Sequence, residues 1–380
     1  MSPQARREVL KAVRPRYRKA NRREKRLILD EFVAVTGYHR KYAIQLLNHA
    51  ALATKRERRR RQRTYPVEVI AALIKIWDVL DRPCGTRLKP YLPEIVAVME
   101  RQQELVLDPP TKDLLLRMSR STIDRALGEA RRRPHRRTRG TTKPGSLLKN
   151  NIPVHVYTPW DEQRPGFVEV DLVAHGGDSA SGEFLFSLNT VDVATGWTET
   201  VAIANKGQAA AFAGLLQIRD RLPMPLLGID SDNGSEFINN HLFRYCETEH
   251  ITFTRCRPYK KNDQAHIEQK NWSVVRRTVG YDRYESPQAL RQLQDLYQIL
   301  RLYLNYFQPV MKLVGKERFG ARVKKRYDEA RTPYQRILEA EEVSQTAKDE
   351  LQAIYLTLNP VSLRRQIDHS LNRLRDLAVR

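Results

Sequence analysis

Three acidic residues stand where apolar strands or helix starts would place them, and their types suit one kind of chemistry. Asp171 interrupts the run VEVDLV, Asp232 directly follows LLGIDS, and Glu268 lies in a helix that opens after a loop. A carboxylate inside an apolar strand is costly unless something partners it. In an α/β sheet, strand ends and helix starts converge on one edge, so acids far apart in the chain can meet there. Brought that close, they repel unless a cation neutralises them. An all-oxygen ligand set favours hard divalent cations, Mg²⁺ or Mn²⁺. Asp178, Asp192, Asp230 and Asp263 are rival acids, and Asp230, two residues before Asp232 on the same strand face, is the strongest of them.

The flanks of these acids are distinctive. Residues 233 to 267, 35 in all, separate the second acid from the third. Around the second runs Ser231-Asp232-Asn233-Gly234-Ser235-Glu236-Phe237. Before the third runs Arg257-Pro258-Tyr259-Lys260-Lys261-Asn262-Asp263-Gln264-Ala265-His266-Ile267. Val170-Asp171 is followed by a hairpin and Val193-Ala194-Thr195-Gly196-Trp197. Together these blocks, roughly Gly166 to Tyr284, resemble the catalytic core of retroviral integrases and of the bacterial insertion-sequence transposases with the D,D-35-E spacing. Asp232 rather than Asp230 matches, because it precedes Asn-Gly.

The resemblance implies an α/β RNase H-like core with a mixed five-stranded sheet. It implies that Asp171, Asp232 and Glu268 are catalytic and hold two Mg²⁺ (or Mn²⁺) ions. Water would cut at the end of a DNA element, and the freed 3′-OH would then attack a target phosphodiester in line, with no covalent enzyme intermediate. It places Tyr259, Lys260, Lys261 and Gln264 in a loop against the DNA end, and offers Lys270, Arg276 and Arg277 on the next helix as phosphate ligands. Trp272 reads as a packing residue rather than a base-stacking platform. Two departures stand out: the N-terminal His and Cys zinc ligands of retroviral integrases are missing, and His266 stands where the family usually has a small or apolar residue.

The elements that must position these residues follow from pattern. GFVEVDLVAHG, GEFLFSLNTVDVA and GWTETVAIAN alternate like strands between Gly and Ser turns. Helices over AAAFAGLLQIRDRL and SEFINNHLFRYCETEH then alternate with strands PLLGID and ITFTRCRP, and a helix covers DQAHIEQKNWSVVRRTVG. Domains are expected at 1–54 (helix-turn-helix), 65–133 (a second helix-turn-helix-like region), 161–285 (catalytic core) and 286–380 (helical), with a linker over 134–160. In the first, Leu27, Ile28, Phe32 and Val35 have helical spacing, and a break at Thr36-Gly37 precedes a helix with apolar Tyr42, Ile44, Leu46 and Leu47. Tyr38, His39, Arg40 and Lys41 at the start of that helix are candidate DNA contacts. In the second, Ser119 is an N-cap candidate and Arg120, Ser121 and Arg125 face DNA. Leu293, Leu296, Tyr297, Leu300 and Leu304 form a core-facing stripe.

Bulk charge names the partner. The chain carries 67 Lys and Arg against 44 Asp and Glu, a formal net charge of +23. Seven of the nine residues Lys55 to Arg63 and six of the nine from Arg131 to Arg139 are basic. Such runs suit a polyanion whose counterions they displace, so double-stranded DNA, both element ends and target, is the expected partner. Joining two ends would require at least a homodimer on DNA. Cys84, Cys246 and Cys256 are too few and scattered for a disulfide framework or a zinc site. No apolar run approaches the roughly 18 residues needed to span a bilayer, and none resembles a secretory signal, so the cytosol is the expected compartment. A non-catalytic DNA-binding regulator and another RNase H-like nuclease are the competing readings.

Overall fold

The computed structural model describes residues 1–48, 65–128, 130–132, 164–232, 234, 236–237, 240–255, 265–320 and 322–379. The basic run Lys55 to Arg63, the linker 134–160, and Tyr259, Lys260, Lys261, Asp263 and Gln264 lie outside the described residues. So do Asn233, Ser235 and Cys256. Cys84 and Cys246 are free thiols.

The chain divides into two compact units, Met1–Thr64 and Tyr65–Arg380. In the first, α1 (Pro3–Lys19), α2 (Arg22–Thr36) and α3 (Arg40–Asn48) enclose Leu10, Tyr17, Ile28, Leu29, Phe32, Ala43 and Leu47. Asn21 and Glu24 form a reciprocal capping box at the start of α2. The helix ends where Gly37 takes φ +70, a left-handed conformation that glycine adopts without a Cβ penalty. The expected break therefore stands, but the buried stripe differs from the expected one. Leu27 and Val35 are 59% and 53% exposed, because Ile28, Phe32 and Thr36, one residue further round, take the inward face. Tyr42 and Ile44 are likewise exposed, and Ala43 and Leu47 carry α3 into the core.

The second unit is organised by a five-stranded sheet. Its strands are β1 (Phe167–Ala174), β2 (Phe186–Asp192), β3 (Thr198–Ile203), β4 (Gly228–Ser231) and β5 (Thr252–Arg255), in spatial order β3-β2-β1-β4-β5. The first three form an antiparallel meander, and β4 and β5 continue parallel to β1. This is the strand order and direction of an RNase H-like core, as the resemblance implied. Helices α8 (Gln208–Arg219) and α9 (Asn240–Thr248) supply the crossovers and bury Leu215, Ile218, Leu242 and Cys246 against Val168, Val170, Leu188 and Ile229.

The opposite face meets α10 (Ala265–Lys270), a π-helical turn over Asn271–Arg276, and α11 (Pro287–Phe307). The stripe on α11 is buried as expected, with Leu293, Leu296, Tyr297 and Leu300 inside and Leu304 partly covered. At the sheet edge, Asn305 on α11 accepts from the Thr198 amide (2.9 Å) and donates to its carbonyl (2.9 Å), so it occupies the place of a sixth strand. Glu199 on β3 is fully buried and receives a bidentate pair from Arg301 at 2.7 Å on each arm, plus the Trp197 indole at 2.9 Å.

Helices α4 (Val67–Val79), α5 (Gly85–Arg101), α6 (Pro109–Arg117) and α7 (Arg120–Ala126) share a core with α11 and the later helices. Tyr303 donates to the Val79 carbonyl (2.7 Å) and Gln308 to that of Leu80 (3.0 Å), joining segments more than 200 residues apart. Composition marks where helix gives way to strand near residues 134–160. It does not record that the apolar faces on either side of that stretch meet. Beyond α11 come α12 (Pro333–Glu339), α13 (Gln345–Thr357) and α14 (Pro360–Arg375), together with a hairpin, β6 (Leu313–Phe319) and β7 (Arg322–Tyr327), that the helical reading of 286–380 did not contain.

Removing one partner of a buried, hydrogen-bonded ion pair strands the other charge. Arg301→Ala should therefore lower the unfolding free energy by about 3 kcal/mol. Replacing both residues, Arg301→Met with Glu199→Gln, should recover part of that loss in a denaturant titration.

Candidate active site

The register of the sheet brings the first two acids together. Val170 on β1 pairs with Ser231 on the parallel β4, so Asp171 and Asp232 are the next residues along two adjacent strands. Both are half-buried. Burial, then the charge of Asp232, push the Asp171 carboxyl up to about 7, against a backbone hydrogen bond from Leu172 and a side-chain one from Asn271. Burial also raises Asp232, opposed by the Gly234 amide, which donates to its Oδ1 at 2.8 Å. Glu236, four residues further on, is a third carboxylate in this field. Burial and the Asp232 charge raise it, and its own charge raises Asp171. Gly234 leaves room for it: a Cβ there would stand 2.6 Å from the Glu236 carboxyl carbon.

A row of polar side chains holds Asp171 in place. Asp171, Asn189 and Thr200 are directly opposed on β1, β2 and β3 and share a face. Thr200 Oγ1 donates to Asn189 Oδ1 (2.8 Å), Asn189 Nδ2 to Asn271 Oδ1 (3.0 Å), and Asn271 Nδ2 to Asp171 Oδ2 (2.6 Å). The helix bearing Glu268 is fixed to the same strand, because the buried Glu169 Oε2 accepts from the Ile267 amide at 2.8 Å. Glu268 thus lies one turn ahead of Asn271, on an exposed surface. Among the described residues, no group of three His, Cys, Asp or Glu side chains is gathered closely enough to hold a metal ion. Asp171 lies within the field of Asp232, and Glu268 is exposed on α10.

The rival acids have other occupations. Asp230 is buried and accepts from Thr254 Oγ1 on β5 at 2.7 Å. Asp192 caps the β2–β3 turn, accepting from the Thr195 amide (2.7 Å), the Thr195 hydroxyl (2.6 Å) and the Gly166 amide (2.8 Å). Asp178 is exposed in a loop.

The proposed phosphate ligands beyond Glu268 are engaged within the chain. Lys270 Nζ donates to the Gly196 carbonyl (3.3 Å), and burial lowers its ammonium to about 8. Arg276 is half-buried, with its guanidinium 4.8 Å from the Tyr281 ring centroid. Arg277, although exposed, pairs with Asp81 at 2.8 Å. Trp272 overturns its expectation. It is 58% exposed, because the π turn directs Val274 and Val275 inward and leaves the indole outside.

In the first unit His39 and Lys41 are exposed, Arg40 pairs with Asp30, and Tyr38 packs edge-on against Tyr42 at 5.2 Å. On α7, Ser119 caps the helix through the Thr122 amide, and Arg120, Ser121 and Arg125 are all exposed. Glu236, Asn271, Asn189 and Thr200 escaped the sequence reading. The available signal was polar residues inside strand patterns and an Asn one turn after Glu268.

The fold and its paired acids define an RNase H-like α/β core flanked by helical regions. No family model matches the chain. It is 43% identical over 330 residues to the uncharacterized protein y4rM of Sinorhizobium fredii, covering 86% of this chain and 93% of that protein. The chain belongs to the same family as y4rM. Among solved structures, the BIV integrase catalytic core is similar at 19% identity and a TM-score of 0.30, over 46% of this chain and 95% of that one. The HTLV-2 integrase catalytic core in complex with magnesium is similar at 16% and 0.29, over 39% and 91%. The fold assignment rests on strand order and register, not on these superpositions.

A carboxylic acid whose folded-state pKa lies above its unfolded value binds its proton more tightly when folded. Stability then falls as pH rises through the interval between the two values. For Asp171 that interval runs from the ordinary 3.8 to about 7. The metal-free protein should therefore lose thermal stability between these limits, and Asp171→Asn should flatten the loss and raise the melting temperature above pH 7. A melting curve in chelator across that range, unchanged by the substitution, would contradict the coupling.

Proposed function

We propose that this protein is a transposase that cleaves DNA at the ends of a mobile element and joins them to a target. One observation carries the reading: Asp171 and Asp232 stand side by side on adjacent parallel strands of an RNase H-like sheet, with Glu268 on the helix whose next turn grips Asp171. Two adjacent carboxylates, both raised by burial and one by the other's charge, are a donor set suited to a hard divalent cation. Asp171 and Asp232 would hold Mg²⁺ or Mn²⁺, with Glu268 completing the set. A cation bound there would lower the charge on the attacking and leaving oxygens.

The chain's own part is positioning. Asn271 Nδ2 and the Leu172 amide each donate to one oxygen of Asp171, and the Gly234 amide donates to Asp232 Oδ1, so the two carboxylates are held in fixed orientations. The HTLV-2 core was solved with magnesium, and another similar structure is a simian T-cell lymphotropic virus intasome. DNA contact belongs to the exposed His39, Lys41, Arg120, Ser121 and Arg125, and to the loop with Tyr259, Lys260, Lys261 and Gln264. At least two copies would act on paired ends, in the cytosol. The competing reading is a DNA-binding regulator without catalysis.

The deciding assay supplies the full chain with Mg²⁺ and labelled DNA carrying the sequences that flank its gene. Asp232→Asn and Glu268→Gln should each reduce strand transfer by about 100-fold or more. Wild-type protein that binds these ends without cutting them would establish the regulator instead. Full activity in Glu268→Gln alone would remove that residue from the active site.

A further inference from the structure

The hairpin of β6 and β7 is built unlike the rest of the second unit. Apart from Gly315, every side chain described along it is exposed, on both faces. Its sequence, LVGKERFGARVKKRY, holds six basic residues and one acid. The register sets Lys316 opposite Lys325 and Arg318 opposite Val323. Opposed residues of an antiparallel pair project from the same face, so one face collects Lys316, Arg318 and Lys325 with no carboxylate among them. Directly opposed like charges destabilise a ribbon, and an isolated two-stranded hairpin is marginal in water to begin with.

Lysines on an exposed edge also discourage strands from pairing between molecules. That role does not account for the apolar side chains beside them, since Val314, Phe319 and Val323 are 57%, 65% and 51% exposed. A basic ribbon with apolar residues along it fits a polyanion that also offers a groove. Two strands about 4.8 Å apart enter a DNA major groove about 12 Å wide.

The root of the hairpin is firmly held. The Lys312 amide donates to Asp328 Oδ1 (2.6 Å), Arg336 pairs with Asp328 (2.7 Å), and Val310 bridges to Arg331. Lys312 Nζ donates to the Ala194 carbonyl at 2.7 Å, in the β2–β3 turn whose Gly196 carbonyl receives Lys270. The arm is thereby anchored to the same turn as the helix bearing Glu268.

We propose that this hairpin is a DNA-binding arm, its Lys316, Arg318 and Lys325 face lying along the phosphates of duplex held at the Asp171–Asp232 site. The proposal rests on the reading that the substrate is DNA. It is tested by anisotropy of a labelled duplex of generic sequence with the full chain, titrated over a range of KCl concentrations. The triple variant Lys316→Gln, Arg318→Gln, Lys325→Gln should bind at least about 10-fold more weakly at low salt, and the slope of log K against log salt should fall by about 2 to 3. Its melting temperature should not fall, because these side chains bury nothing and the Lys316–Lys325 repulsion is relieved.

A charge-matched control on α14, Arg365→Gln, Arg373→Gln, Arg375→Gln, should leave the slope nearly as in wild type. An equal loss in control and hairpin variant would reduce the effect to net charge and overturn the proposal. Unchanged affinity and slope in the hairpin variant, beside a wild type that binds and cuts DNA, would overturn the arm alone. So would a variant whose only change is a smaller oligomer by sedimentation, which would make the ribbon a contact between copies. A wild type that binds no duplex at any salt would overturn the DNA reading, and the arm with it.

Discussion

The constraint on which the second unit turns is the parallel pairing of β1 with β4, because it places two carboxylates next to each other in a half-buried setting. Their mutual repulsion works against folding, and burial raises both, so the surroundings must fix them from several sides at once. The Thr200–Asn189–Asn271 chain does this from the meander side and the Gly234 amide from the other. Nothing in the general economy of a sheet requires a polar row of this kind; an apolar row would pack as well and leave no buried amide to satisfy. Its presence is understandable if the geometry of Asp171 matters more than the stability it costs.

The buried acids of the second unit differ in what surrounds them. Asp192 and Glu199 are fully buried, yet each is saturated by donors that close a turn or clamp a helix. Asp230, the rival nearest in sequence, gives an oxygen to Thr254 across the neighbouring strand. Asp171 and Asp232 face each other's charge instead. Two carboxylates held side by side mark a place where a cation would relieve their repulsion.

Much of this was readable before any coordinates. The alternation in VEVDLV and the Gly turns mark the strands, since period and turn chemistry are local properties, while strand order and the choice of Asp171 and Asp232 came from the resemblance of the flanking motifs. What sequence could not carry was which faces meet. Leu27, Ile28, Phe32 and Val35 were read as one stripe, and packing buries only Ile28 and Phe32 of the four. Trp272 was expected to pack, and the π turn, which no local residue pattern announced, leaves it outside. The hairpin was invisible because its strands alternate no apolar face, and the pattern that normally reveals a strand is the pattern of burial.

That last failure also says what the hairpin is for. A strand that buries neither face derives almost nothing from the hydrophobic effect, the dominant favourable contribution to folding elsewhere in this chain. It is held instead by its own ladder and by the ties at its root, Asp328 with Arg336 and Lys312 with the β2–β3 turn. Those ties are spent at one end only, the end adjoining the helix of Glu268, while the basic length beyond them is left to solvent. A ribbon tied at its base to the β2–β3 turn and charged along its length is mechanically suited to one task. It extends the positive field of the site outward without altering the packing that keeps Asp171 and Asp232 in register.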